Sequence, residues 1–212
     1  ADGINRVNLI DATPIGINVR STVATYSGIL DDLRKLFAAT PKAKELGLKV
    51  NDFSYNTGSL RCPTCDGTGQ ISMDIQFLPD VDIVCPDCSG RRYSEKANDV
   101  KIELRGEEYS IADLMQTTVS EAAGLFEKHK KIKEKLETLL NLGLSYLTLG
   151  ESTPTLSGGE AQRLKLATEL GKPQSDSVFV FDEPTIGLHP QDVGSLLKVF
   201  DRLIKDGATV IV

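Results

Sequence analysis

The spacing of apolar residues along the chain changes several times between a strand period and a helix period. Short apolar or alternating runs predict strands at 5–12, 71–77, 81–84, 98–109, 178–181 and 208–212. Apolar residues three or four positions apart predict helices at 29–37, 110–115, 132–140, 159–170 and 193–204, and a capping box at 118–121 begins one more. The last two strands are apolar throughout and flank one helix, so we expect a parallel strand–helix–strand unit inside a larger sheet.

Four cysteines form two pairs, Cys62 with Cys65 and Cys85 with Cys88, separated by 19 residues. Two C-x-x-C knuckles at this distance are typical of a four-thiolate zinc site, in which each knuckle supplies two corners of a tetrahedron. The two strands predicted between the pairs would then form a β-hairpin held at its base by Zn²⁺. Redox dithiols and structural disulfides are the alternatives, and the pairing of exactly these four cysteines favours zinc.

A glycine-rich run precedes one predicted helix, and an acidic pair follows a predicted strand. Leu156–Arg163 reads L-S-G-G-E-A-Q-R, and the strand at 178–181 leads into Asp-Glu. Glycines at a helix N-terminus let backbone N–H groups approach a phosphate, and carboxylates after a buried strand suit Mg²⁺ binding and the activation of water. ABC-type ATPases grip ATP with such a pair of elements. We therefore predict contacts with nucleotide or Mg²⁺ from Ser157, Gly158, Gly159, Gln162 and Asp182, and a general base at Glu183.

A phosphate-binding loop of the form G-x-x-x-x-G-K-[ST] is missing from the sequence. The chain also ends on the apolar run 208–212, with no turn or polar residue after it. We expect the chain to be a piece of a longer protein and to hydrolyse no ATP by itself. His189 follows the acidic pair and would lie beside the nucleotide.

Composition narrows the class of protein further. The chain has 212 residues, of which 40% are hydrophobic, enough for a packed core. Its net charge of −6 gives no general attraction for nucleic acid, so any DNA contact needs a local patch. Neither a signal peptide nor an apolar run of about 18 residues occurs, which predicts a cytoplasmic protein without a membrane partner.

Several stretches together resemble the UvrA family, the A subunits of the bacterial UvrABC excision-repair nuclease. They are D-A-T-P-I-G at 11–16, A-T-Y at 24–26, the cysteine module with F-L-P-D-V at 77–81, T-L-S-G-G-E-A-Q-R at 155–163 and D-E-P-T-I-G-L-H at 182–189. The resemblance covers essentially the whole chain. A zinc module inserted ahead of a signature helix makes it specific.

The resemblance implies an α/β fold, namely a partial ABC-type ATPase nucleotide-binding domain with a parallel sheet like that of P-loop NTPases. A zinc-binding β-hairpin module would be inserted in it, together with a helical signature subdomain. The implied segments are the start of the ATPase core at 1–50, the zinc module at 51–97, the helical subdomain at 98–155, and the signature helix with the Walker B strand at 156–212.

The resemblance also implies a function in nucleotide excision repair and the SOS response, as an ATPase of DNA-damage recognition. The signature residues would act on ATP held by a second nucleotide-binding domain, while Asp182 and Glu183 would serve this domain's own ATP with Mg²⁺. Expected partners are double-stranded DNA, especially damaged DNA, a second copy of the whole protein, and a UvrB-type subunit bound through other regions. The module's flanking arginines are candidates for phosphate contacts, with ordinary surface charge as the alternative: Arg61, Arg91 and Arg92.

Two features depart from the family pattern. Ala12 stands where the family commonly has a glutamine that senses Mg²⁺ and the attacking water, which puts the tuning of hydrolysis in doubt. The stretch 15–22 lacks the usual proline- and arginine-rich loop. Both departures point to a paralogue, whose function could be drug tolerance or self-resistance instead of general repair.

Two other classes of protein share some of these motifs. The run Cys62–Gly69 matches the C-x-x-C-x-G-x-G unit of a DnaJ-type zinc chaperone module, but that module needs four such units and leaves everything after residue 150 unexplained. An ABC ATPase of transport would lack the cysteines. One of chromosome maintenance would carry a long coiled coil, and no sustained heptads occur.

Overall fold

The computed structural model describes residues 4–16, 18–73, 81–172, 174, 176–188 and 190–212, with the backbone alone at 191 and 192. The tip of the predicted hairpin at 74–80 and His189 lie outside the described residues. In chain order the elements are β1 (Arg6–Ile10), α1 (Val23–Tyr26), α2 (Ile29–Ala38), α3 (Pro41–Glu45), β2 (Gln70–Met73), β3 (Val81–Val84), β4 (Lys101–Leu104), β5 (Glu107–Ser110), α4 (Ile111–Gln116), α5 (Val119–Leu125), α6 (Lys130–Asn141), α7 (Gly158–Leu170), β6 (Ser177–Phe181), α8 (Pro190–Lys205) and β7 (Thr209–Ile211). Short 3-10 helices lie at Val50–Phe53, Glu95–Asp99 and Thr153–Thr155.

The main sheet contains three parallel strands in the order β1-β6-β7. Val7 pairs with Val178 in register, and Val180 pairs with Ile211. The β6–α8–β7 connection is the predicted strand–helix–strand unit, and the sheet confirms the α/β fold class. Strands β1 and β6 are neighbours in the sheet although they lie near opposite ends of the chain. Residues 11–176 therefore form one long insertion between two adjacent strands.

The predicted edge strand at 98–109 is instead a two-stranded hairpin of its own, formed by β4 and β5. Arg105 and Gly106 both have positive φ, 54° and 87°. A turn with two such residues has the twist that joins antiparallel neighbours through a two-residue loop, so the strand folds back on itself. The sequence analysis predicted an edge strand and a turn over 98–109 and missed the pairing of two strands across that turn.

The helices between the hairpins and α7 pack around one continuous apolar core. As predicted, α6 buries Ile132, Leu136 and Leu139. The Thr118–Glu121 capping box begins α5, with the Thr118 hydroxyl accepting from the Glu121 amide. Gly143 has a φ of +72° just beyond α6, where a left-handed residue ends a helix at little steric cost. In the part of the chain that the structure describes, no helix is both long and apolar enough to cross a bilayer.

Helix α7 is fixed against the carboxyl ends of β1 and β6. The Gln162 side chain donates Nε2 to the carbonyl oxygens of Ile10, at 2.8 Å, and Asp182, at 2.7 Å. Arg163 donates Nη1 to the Ile186 carbonyl oxygen at 3.1 Å. Both side chains are 2% exposed, so these bonds form in a site with little competition from water. The start of α7 and the turn after β6 are thereby held together.

Gly159 is required by this contact. A methyl carbon added there would lie 2.4 Å from the Ile186 carbonyl oxygen. We therefore expect Gly159→Ala to lower the free energy of unfolding by about 1–3 kcal/mol through overpacking. Gly171→Ala is the matched control, because its added carbon would meet nothing closer than 3.7 Å and its φ is −76°. Urea unfolding of both variants followed by circular dichroism tests this, and equal stabilities would contradict the close approach.

Candidate nucleotide and metal sites

The start of α7 carries the glycine-rich run, in which Gly158 is partly exposed and Gly159 is buried. Ser157 is the exposed N-cap of the helix, and its hydroxyl accepts from the Glu160 amide at 3.3 Å. The Glu160 carboxylate in turn accepts from the Ser157 amide at 2.7 Å, which completes a capping box. Gly158 and Gly159 occupy the first helical positions, whose N–H groups have no acceptor within a helix. This end of α7 therefore has the donors and the dipole that suit a phosphate.

Glu160 carries a negative charge next to these donors and has partners of its own. Its second carboxylate oxygen accepts from the Tyr146 hydroxyl at 2.6 Å. Burial alone would raise the pKa of Glu160, but the hydrogen bonds from Tyr146 and Ser157 outweigh it and lower that pKa below its usual value. The carboxylate stays ionised and keeps the capping box closed.

Asp182 and Glu183 follow the end of β6, and both are exposed. Glu183 has a φ of +44°, in the left-handed region that residues with a Cβ rarely adopt. Such strain persists where the surrounding structure holds the backbone, and here Gln162 holds the Asp182 carbonyl. The predicted nucleotide residues of α7 and the acidic pair are thus brought to the same edge of the sheet.

Gln162 reaches this site differently from the other predicted nucleotide residues. Its side chain is buried and its amide nitrogen is already bonded to the backbone at the ends of β1 and β6. The geometry therefore favours a positioning role for Gln162 over direct contact with nucleotide. Sequence reasoning had no means of finding these two carbonyl partners, which lie 152 and 20 positions away.

A lysine that the sequence analysis did not single out ties the loop after β1 to α7. Lys165 Nζ lies 2.6 Å from Asp11 Oδ1 and also donates to the Thr13 carbonyl and hydroxyl oxygens, each at 2.8 Å. The Lys165 ammonium, followed by the Thr13 hydroxyl, lowers the pKa of Asp11 to about 2. Because the folded pKa is depressed, the stabilisation is present above the usual carboxyl range and is lost as pH falls toward 2. The loop bears Ala12, whose Cβ would lie 3.1 Å from a methyl group at Gly158.

The four cysteine sulfurs converge in one buried cluster. Every Sγ lies within 4.8 Å of the others, and the Cys62–Cys85 and Cys65–Cys88 distances are 3.9 and 3.6 Å. Four sulfurs at about 2.3 Å from a tetrahedral Zn²⁺ are about 3.8 Å apart, so the cluster fits zinc. These distances are far beyond the roughly 2.05 Å of a disulfide, which removes that alternative. Burial raises the pKa of the Cys88 thiol to about 12, so a cation is needed to hold it as thiolate.

The two knuckles repeat one backbone pattern. The residue after each second cysteine has positive φ, 52° at Asp66 and 49° at Ser89, and a glycine with positive φ follows. Gly67 is the tighter of these glycines, because a Cβ there would lie 1.8 Å from the Tyr55 carbonyl oxygen. The Thr64 hydroxyl donates to the Asp87 carboxylate and joins the two knuckles directly. These contacts fix the position of one knuckle relative to the other.

The three arginines that flank the cysteine pairs differ from one another in exposure and in partners. Arg61 pairs with Asp66 at 3.0 Å and Arg91 with Asp113 at 2.6 Å, and each side chain is about one third exposed (39% and 33%). Arg92 is only 5% exposed and its guanidinium is bonded within the fold. This burial disfavours a DNA contact by Arg92, because a phosphate would have to enter a buried site to reach it.

Comparison with known proteins covers the chain from end to end. It is 45% identical over all 212 residues to the UvrABC system protein A of Staphylococcus aureus (strain COL), and equally so to that of Staphylococcus epidermidis. The crystal structure of UvrA2 from Deinococcus radiodurans superposes with a TM-score of 0.88 at 46% identity, covering 98% of this chain. No protein-family model matches.

The chain spans 22% of the length of these curated relatives and 25% of the UvrA2 chain. The similarity includes everything after residue 150, which the chaperone-module alternative left unexplained. The 45% identity over the full chain and the structural match show that the similarity is not confined to the cysteine motifs. The chain belongs to the UvrA family.

Proposed function

We propose that this chain acts within a longer ATP-dependent protein that recognises DNA damage in nucleotide excision repair. The observation that carries the proposal is the exposed start of α7, braced by Gln162 against the end of β6, where the acidic pair lies. A shift of the α7 residues that contact ATP would then also shift the acidic pair that binds Mg²⁺, because Gln162 connects the two. The family relationship supplies the repair context.

In this proposal Ser157, Gly158 and Gly159 contact the terminal phosphate of an ATP held by another nucleotide-binding domain. These 212 residues contain no G-x-x-x-x-G-K-[ST] loop, so this chain alone cannot cradle the β- and γ-phosphates of either nucleotide. The longer protein would supply that loop. By itself the chain would hydrolyse no ATP.

Asp182 and Glu183 would serve the nucleotide bound on this domain. Asp182 would hold Mg²⁺, which neutralises charge on the phosphates, and Glu183 would accept a proton from the attacking water. The left-handed backbone at Glu183 favours this role, because it fixes where the carboxylate leaves the chain. Ala12 offers no side-chain amide, so Glu183 would orient the water without that help.

Glu183→Gln in the longer protein is expected to lower kcat for ATP by about 100-fold or more while KM changes little, because the base is lost and the binding groups remain. Glu137→Gln, on the exposed side of α6, is the matched control and should leave both constants unchanged. Steady-state phosphate release measures the two parameters. A kcat for the Glu183 variant within about threefold of the unmodified protein would sink the assignment.

We further propose that the cysteine cluster holds one structural Zn²⁺ that folds the module around it. Between residues 62 and 88 the four cysteines are the only buried apolar side chains in the described part of the chain, and Ile71 is the partly buried side chain that packs against them. A metal that binds four thiolates supplies folding free energy that such a small core lacks. The metal has no catalytic place here, because all four coordination positions are taken by protein.

Purified protein is expected to carry one zinc per copy of this chain at these cysteines, and Cys88→Ser should lose it. Ser72→Ala, on exposed strand β2, is the control and should retain it. Metal analysis gives the stoichiometry, and hydrogen exchange across 62–90 should accelerate only in the cysteine variant. Zinc retained at full stoichiometry by Cys88→Ser would refute a four-cysteine site.

DNA contact is proposed for the two ends of the zinc module and not for the hairpin between them. Residues 62–90 contain five aspartates and neither lysine nor arginine, so that stretch repels phosphates. Arg61 and Arg91 remain partly exposed at the ends. A DNA phosphate would replace the carboxylates of Asp66 and Asp113 as their partners.

Arg61→Ala and Arg91→Ala in the longer protein should each reduce the slope of log binding constant against log salt by about one, since each removes one phosphate contact. Arg105→Ala, in the turn of the β4–β5 hairpin, is the control and should leave the slope unchanged. Fluorescence anisotropy with intact and lesion-bearing duplexes over a salt series measures this. Unchanged slopes in both module variants would place the DNA surface elsewhere in the protein.

A further inference from the structure

Arg92 lies where three segments meet, and neither the ATP site nor the metal site uses its side chain. The guanidinium donates Nη1 to the carbonyl oxygens of Val19, at 2.9 Å, and Gly67, at 3.3 Å. It donates Nη2 to the Ser152 hydroxyl at 2.7 Å. Its Cζ also lies 5.1 Å from the centroid of the Tyr55 ring. These contacts account for a long cationic side chain that is 5% exposed.

Each hydrogen-bond partner belongs to a different functional part of the chain. Gly67 lies in the first cysteine knuckle, two residues after a metal ligand. Val19 lies in the segment that follows the Ala12 loop, and Ser152 lies five residues ahead of Ser157. Arg92 is therefore bonded to the metal module, to the loop beside α7 and to the run that enters the signature motif.

A second arginine, Arg20, also connects the first cysteine knuckle to the segment that contains Val19, but its side chain extends from that segment to the knuckle. Arg20, from the segment beside Val19, donates to the Asp66 carbonyl oxygen at 2.7 Å and to the Asp66 carboxylate at 2.8 Å. The Ser21 carbonyl accepts from the Thr153 amide at 2.9 Å, next to Ser152. The knuckle and the entry to the signature motif are thus attached to one intermediate segment, residues 19–21.

Arg92 has no carboxylate partner among the described residues. Arg61 and Arg91 pair with carboxylates, whereas among the described residues the partners of Arg92 are neutral oxygens and an aromatic ring. Four thiolates around one Zn²⁺ carry a net charge of about −2 by formal count. That charge compensates a buried guanidinium, since opposite charges in a poorly hydrated site attract strongly. The backbone of Arg92 also has a φ of +70°, so its position is constrained.

We infer that Arg92 is a positioning residue that couples metal occupancy of the cysteine cluster to the signature loop, residues 152–157. Loss of the metal removes the charge that holds the guanidinium and moves the Gly67 carbonyl, so the bond to Ser152 is released and the loop becomes mobile. The consequence for ATP rests on the proposed function. The coupling between metal and loop rests on the contacts themselves.

Hydrogen exchange of the longer protein, with and without zinc removal by a chelator, tests the coupling. In the unmodified protein, zinc removal should accelerate exchange at 152–157 by about tenfold or more, as expected for loss of a charged hydrogen bond that limits local opening. Arg92→Gln should retain zinc yet exchange fast at 152–157 already, with little further response to the chelator. Arg92→Lys keeps the positive charge but lacks the planar set of guanidinium donors, so its exchange rate at 152–157 should lie between those of the unmodified protein and Arg92→Gln. Arg91→Gln is the control and should respond like the unmodified protein.

Two further measurements separate coupling from general loss of structure. The exchange rate of α6 should be the same in all variants. If Arg92→Gln accelerates exchange in α6, that variant has lost structure generally, and Ser152→Ala, which removes one hydrogen bond only, then tests the coupling. Ser152→Ala should uncouple the loop while zinc stays bound. A normal response to zinc removal in Ser152→Ala, or no response at 152–157 in the unmodified protein, overturns the inference. ATP turnover unaffected by Glu183→Gln would count against the proposed function and leave this exchange result untouched.

Discussion

The contact between α7 and the carboxyl ends of β1 and β6 is the constraint on which the rest of the structure depends. Gln162 bonds to a carbonyl at each strand end, and the close approach of Gly159 to Ile186 leaves no room for a side chain. Because these contacts are made to backbone, they fix where the chain leaves each strand, whatever side chains occupy the loops. The exposed Ser157, the two glycines that follow it and the acidic pair after β6 are consequently parts of one rigid edge.

The inserted zinc module is stabilised by a different kind of interaction. The main core buries large apolar side chains, whereas the module is organised by four sulfurs and by glycines that permit close backbone turns. Such a module needs little apolar material, which leaves its surface free to be acidic. The first knuckle is also connected to residues 19–20 by polar contacts, through the guanidinium groups of Arg20 and Arg92. Polar contacts of this type are directional, so they transmit position better than apolar packing does.

Much of this arrangement could be predicted from local sequence. Cysteine spacing, the capping box at Thr118 and the apolar period of α6 each depend on residues near one another in the chain. The capping box and the buried face of α6 were confirmed, and the four cysteines lie together in a cluster that could hold a metal. The β4–β5 hairpin was missed because two left-handed residues, Arg105 and Gly106, carry a weak signal. The partners of Gln162, Lys165 and Arg92 were missed for another reason. A polar side chain does not show in its own sequence whether water or a distant carbonyl will satisfy it.

The register of β1 with β6 has a consequence for synthesis of the chain. Arg6 pairs with Ser177, which is translated 171 residues later (177 − 6). At roughly 5–20 residues per second, β1 waits on the order of 10–30 s for its partner. During that interval the pairing of β1 with β6 cannot form. The four cysteines all lie between residues 62 and 88, so their cluster can close before β6 is made, which shortens the effective loop that β1 and β6 must later bring together.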